Sequence, residues 1–83
     1  MAEEFEIDID YRGEEKKLRG SLLLYGYSHQ IKIQLDDMEI YFEPDEEGIY
    51  RVLKMPWQKE KDFERIDRGL LYAIQQKITE VLR

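Results

Sequence analysis

Phe5-Glu6-Ile7-Asp8-Ile9-Asp10-Tyr11 is the stretch that decides the fold. Apolar and acidic side chains alternate through it without an error, the period of a strand with one face buried and the other in water. Arg12-Gly13-Glu14-Glu15 reads as a turn, after which Leu18, Gly20, Leu22 and Leu24 carry the inward face into a second strand. Gly26-Tyr27 suits a two-residue hairpin loop with glycine first, as a type II′ turn requires. A third strand turns His29, Ile31, Ile33 and Leu35 inward and Gln30, Lys32 and Gln34 outward. Asp36-Asp37 is the next turn, and Met38, Ile40 and Phe42 form the inward face of a fourth strand. Pro44-Asp45-Glu46-Glu47-Gly48 makes a longer turn, leading to Tyr50 and Val52 in a fifth.

Closing the hairpins at these loops predicts which residues face one another. One inward row is Phe5, Leu22, Ile31, Phe42 and Tyr50, and the next is Ile7, Gly20, Ile33, Ile40 and Val52. The third is Ile9, Leu18, Leu35, Met38 and Lys54, and on the outer face Asp8 meets Arg19 and Asp10 meets Lys17. Gly20 in an apolar row marks a bend, or a close approach by an aromatic ring or the helix.

After Met55-Pro56-Trp57 the period changes. Leu70, Leu71, Ile74, Ile78, Val81 and Leu82 fall on one helical stripe. Asp67 is a candidate N-cap, with Ile66 and Leu71 placed as a hydrophobic staple. Phe63 extends the stripe backward, so a start at Asp62 is the alternative. A one-sided helix needs an apolar surface to cover, and the sheet's inner face supplies it. The expected architecture is α+β: a single domain over 1–83, with a five-stranded antiparallel meander (order 1-2-3-4-5) over about 4–55 and one C-terminal helix over about 62–82.

Composition bounds the function. The chain has 83 residues, no cysteine and a net charge of −6. Thiolate metal sites and disulfides are excluded, and a core this small stabilises by roughly 3–5 kcal/mol, which makes self-association or a partner a natural supplement. Residues 1–47 carry 14 acidic against 5 basic side chains and residues 48–83 carry 5 against 8, giving −9 and +3. Such a balance repels phosphate backbones on average. Met1-Ala2-Glu3-Glu4 has neither the basic nor the apolar region of a signal peptide, and the longest apolar run is Leu22 to Tyr25. The expectation is a cytoplasmic protein without a membrane segment.

Chemistry-bearing residues are few. His29, the only histidine, sits on the inward face opposite Leu24 and reads as a packed side chain. Ser28 beside it points to the other face, so no serine–histidine pair forms, and no nucleophile-elbow motif is present. Glu43 and Asp45-Glu46-Glu47 offer oxygens of the type that bind Mg²⁺ or Ca²⁺, but Pro44 and Gly48 already account for the segment as a turn. The glycines are scattered singly, with no phosphate-binding loop. No catalytic residue, cofactor or metal ligand is assigned.

The outer face is more informative. Leu23, Tyr25, Tyr41, Ile49 and Leu53 point outward, and the expected register sets Lys32 and Arg51 on either side of Tyr41. Together with Trp57, which reads as either a lid on the core or a binding anchor, Leu23, Tyr25, Tyr41, Ile49, Arg51 and Leu53 form a candidate partner surface. An aromatic flanked by cations is also how some sheets stack single-stranded bases, although Glu39 and Glu43 share this face.

Gly26-Tyr27-Ser28-His29, Phe42-Glu43-Pro44-Asp45-Glu46-Glu47 and Ile66-Asp67-Arg68-Gly69-Leu70-Leu71 resemble segments of a family of small bacterial proteins, strand-rich with a C-terminal helix and without an assigned function. The resemblance spans nearly the whole chain, implies the same fold and carries over no site residues. The leading functional expectation is a non-enzymatic binding or scaffolding domain acting through protein contacts, including a homodimer. The alternatives are single-stranded nucleic-acid binding through the outer face and a carboxylate-based enzyme.

Overall fold

The computed structural model describes residues 2–35 and 38–82. Five strands, β1 (Ala2–Tyr11), β2 (Glu14–Tyr25), β3 (Ser28–Leu35), β4 (Met38–Pro44) and β5 (Tyr50–Leu53), form one antiparallel sheet in the order β1-β2-β3-β4-β5. A short helix α1 (Glu60–Glu64) and a longer helix α2 (Arg68–Leu82) follow. The expected meander is therefore present, with α2 packed on its inner face. Ile7, Ile9, Leu18, Ile31, Ile33, Leu35, Ile40, Phe42 and Tyr50 of the sheet are buried against Ile74 and Ile78 of α2.

The face of each strand agrees with the alternation, but two of the four registers do not. β2–β3 and β3–β4 pair as expected, through Leu22↔Ile31 and Ile33↔Ile40. Between β1 and β2 the partners are Phe5↔Gly20, Ile7↔Leu18 and Ile9↔Lys16, two residues away from the expected rows. The outer-face pairs become Glu6↔Arg19 and Asp8↔Lys17, and Asp10 meets Glu15. The cause is the loop: only Arg12 and Gly13 make the turn, both with positive φ (53° and 78°), the geometry of a type I′ hairpin. Between β4 and β5 the partners are Phe42↔Val52 and Pro44↔Tyr50, because Pro44 is still in β4 and the five-residue loop runs over 45–49 rather than 44–48.

The first shift explains Gly20. A Cβ at this position would lie 2.5 Å from the Phe5 ring. The ring fills the space directly across the ladder, so the expected close approach by an aromatic is what the glycine serves. Two apolar residues assigned inward on alternation, Leu24 and Val52, are nonetheless open to solvent, as is Tyr27 in the hairpin loop. They lie at the rim or in a loop, where the inward face continues past the cover that α2 provides. The Asp36-Asp37 turn lies outside the described residues.

The helical segment is broken rather than continuous. Asp62 falls inside the one-turn α1, and Asp67 caps α2, with the Gly69 amide donating to Asp67 Oδ1 at 2.8 Å. Ile66 and Leu71 both pack against the core, as a staple requires. Asp67 also receives the Tyr11 hydroxyl and pairs with the Arg12 guanidinium at 3.3 Å. The first hairpin is thereby fastened to the start of α2. The hydrogen bond from Tyr11, followed by that from Gly69, holds the Asp67 carboxyl below its ordinary pKa.

Candidate functional site: the outer sheet face

The corner where the chain leaves β5 is built by one tight turn. Pro56 fits the second position of a β-turn, where φ near −65° is wanted, and Gln58 closes the turn by donating its amide to the Met55 carbonyl at 2.9 Å. Its side chain does more. The Met55 amide donates to Gln58 Oε1 at 3.0 Å, and Gln58 Nε2 donates to the Glu39 carbonyl at 2.6 Å. Continuing the Tyr41↔Leu53 pairing places Met55 opposite Glu39. The Gln58 carboxamide thus occupies the ladder position where Met55 and Glu39 would otherwise bond directly.

This turn brings Trp57 over the outer face. Its ring stands edge-on to Tyr41, 5.9 Å between centroids at 86°. Tyr41 is only 7% exposed, whereas Trp57 is 65% exposed. Tyr41, expected as an open outward ring, is instead the floor under Trp57. Leu23, Ile49 and Leu53 are half-buried and Arg51 is exposed. The side chain of Tyr25 lies outside the described residues.

The cations expected beside Tyr41 are arranged differently. Lys32 is across from Tyr41, but its Nζ lies 3.1 Å from Glu39 Oε2, and that hydrogen bond raises its pKa. Arg51 is opposite Glu43, one consequence of the displaced loop, and its Nε donates to Asp45 Oδ2 at 3.0 Å. The flanking Lys32–Tyr41–Arg51 platform is therefore not assembled. Asp45 accepts as well from the Ile49 and Glu47 amides at 3.0 and 2.9 Å. The Ile49 amide, then Arg51 and Glu47, keep its pKa below the ordinary carboxylate value. Its oxygens organise the loop, and among the described residues no three His, Asp or Glu side chains are grouped to hold a metal ion.

On the inner face, His29 Nε2 and the Tyr50 hydroxyl are hydrogen-bonded at 2.8 Å. Burial raises the Tyr50 pKa, so the phenol stays protonated. The observed register brings the pair together, since Tyr50 lies beside Pro44 rather than Phe42. The expected register, with the loop over 44–48, sets Tyr50 beside Phe42 and separates them. Elsewhere on the outer face Glu4, Glu6, Arg19, Ser21, Lys32 and Gln34 line a shallow concavity of about 540 Å³. Its walls mix both signs of charge around the small Ser21.

Comparison with protein-family models, with curated proteins and with solved structures gives no match. Of the expected resemblance, the structure carries the strand-rich sheet with a C-terminal helix packed on it. Among the described residues no helix is long and apolar enough to cross a membrane.

Proposed function

We propose that this chain is a non-enzymatic binding domain that acts through protein contacts at its outer sheet face, with Trp57 as the anchor. The observation that carries the reading is the combination of exposure and fixation at Trp57. The ring is largely open to solvent, yet the turn that carries it is closed by Gln58 and the ring makes a T-shaped contact with Tyr41. Exposed aromatics held in the binding conformation lose little entropy on association and supply much of an interface's energy. Leu53 lies across from Tyr41 in the ladder, and Leu23, Ile49 and Leu53 are half-buried apolar side chains while Arg51 is exposed. In this reading the domain works in the cytoplasm, among small bacterial proteins of like architecture.

Nucleic-acid binding through the same face ranks lower, because Lys32 and Arg51 are engaged by Glu39 and Asp45. The test is a photo-crosslinking amino acid placed at position 51 in living cells, in the wild type and in Trp57→Ala. Crosslinks to a protein, including a second copy of the chain, that vanish in Trp57→Ala support the reading. Crosslinks to nucleic acid, or protein crosslinks unchanged in a folded Trp57→Ala variant, overturn it.

A further inference from the structure

The open edge of the sheet carries a second surface, separate from Trp57. β1 runs for ten residues, and among the described residues no strand lies beyond it. In a hairpin closed by two residues, the flanking pair Tyr11↔Glu14 exchanges hydrogen bonds, and so does every second pair after it. Phe5, Ile7, Ile9 and Tyr11 therefore aim their amides and carbonyls at β2. Glu4, Glu6, Asp8 and Asp10 aim theirs at the open edge, and their side chains stand on the outer face.

A strand added here hydrogen-bonds to four residues that are all acidic. β2 answers this row with Arg19 opposite Glu6 and Lys17 opposite Asp8, while Asp10 meets Glu15 and Glu4 meets Ser21. Lys32, the next cation inward, is bonded to Glu39. Two cations thus face five carboxylates, and the excess negative charge lies along the edge. On the helix side a groove of about 330 Å³ runs between Asp8–Asp10 and Ala73, Gln76, Lys77 and Glu80 of α2, with room for side chains of an added strand.

We infer that the β1 edge accepts an extended segment of a partner protein in which Lys or Arg recurs at every second position. Main-chain bonds to Glu4, Glu6, Asp8 and Asp10 supply the pairing, and the alternate cations complete the outer face in the way Lys17 and Arg19 do from the other side. A second copy of β1 is excluded by the same rule, since it would set carboxylates opposite carboxylates.

The probe is a fluorescent decapeptide alternating lysine and valine, followed by anisotropy with the whole chain. Controls are a peptide with glutamate for lysine, a peptide of the same composition with its lysines clustered, and the alternating peptide N-methylated at the amides that face β1. Binding to the alternating peptide that is weakened roughly tenfold or more in each control supports the inference. On the protein side, Asp8→Pro removes an outward amide without touching the β2 ladder and should abolish binding, while Asp8→Asn weakens it. Equal binding by the N-methylated or clustered peptide would reduce the effect to charge alone and overturn the inference. No binding of the alternating peptide at low salt, or concentration-dependent self-association lost in Asp8→Pro, overturns it as well. The N-methylated arm stands even if Asp8→Pro fails to fold.

Discussion

At one side of the sheet β5 contributes four residues, and at the other β1 contributes ten. α2 leans on both, yet it closes only the first. The Tyr50 amide, which points away from β4, is taken by Thr79 Oγ1 of α2 at 3.3 Å, and beyond Leu53 the chain turns away under the control of Gln58. The β1 edge has no such cover: its inward side chains Ile7 and Ile9 are buried beneath α2, but its outward backbone faces water between carboxylates. One edge is guarded by shortness and capping, the other by charge. Charge is the more permissive guard, because it turns away like strands and admits a complementary one.

The comparison assumes that both edges rest on one core. Ile74→Ala, in the fully buried middle of α2, should cost about 2–5 kcal/mol. Urea unfolding followed by Trp57 fluorescence and by far-ultraviolet circular dichroism should give coincident midpoints. If the two signals separate, the β5 corner is an independent unit. Gly20→Val acts on the other side alone: it drives a branched side chain into the Phe5 ring and should cost about 1–3 kcal/mol by calorimetry. A neutral result would mean that β1 is held chiefly by its hairpin turn.

Gln58→Ala leaves the Met55 amide and the Glu39 carbonyl without their bridge, for about 1–3 kcal/mol by denaturant titration. Trp57 fluorescence should also shift as its turn loosens. Thr79→Val keeps the shape and removes the acceptor for the Tyr50 amide. We expect a loss of about 0.5–1.5 kcal/mol and faster hydrogen exchange at Tyr50, with the amides of Glu6 and Asp8 unaffected. The smallest effect is on acid stability. Asp45 and Asp67 have folded pKa values below their unfolded ones, so their contribution is complete above the ordinary carboxylate range and is lost as pH falls through the lowered values. Asp67→Asn and Asp45→Asn should each flatten the acid limb of the stability curve measured from neutral pH downward.

The strand order, the face of each side chain and the helical stripe were legible because they depend on periods of two and 3.6. Register was legible only where the loop was unambiguous. A shift of two residues leaves every side chain on its face, and pairs Arg19 with Glu6 as readily as with Asp8, so neither alternation nor charge separates the two choices. The β1–β2 choice turned on Arg12 adopting positive φ, a conformation that a non-glycine residue enters at some cost. The ion pair with Asp67 and the Tyr11 ring 5.3 Å from its guanidinium hold it there. The ion pair is a long-range contact that no local pattern announces. At the candidate site, Pro56 signalled the turn and Trp57 drew attention by its type. Gln58 gave no signal, since a glutamine that completes a ladder looks like any other.

That glutamine has a further consequence. A side-chain carboxamide is a peptide group with nothing attached beyond it, so it satisfies one rung and offers no next residue. Set between Met55 and Glu39, it works as a full stop written in the sheet's own alphabet. The polypeptide leaves β5 for the helix with both backbone groups still answered. Lengthening β5 would require evicting Gln58, and with it the turn that presents Trp57.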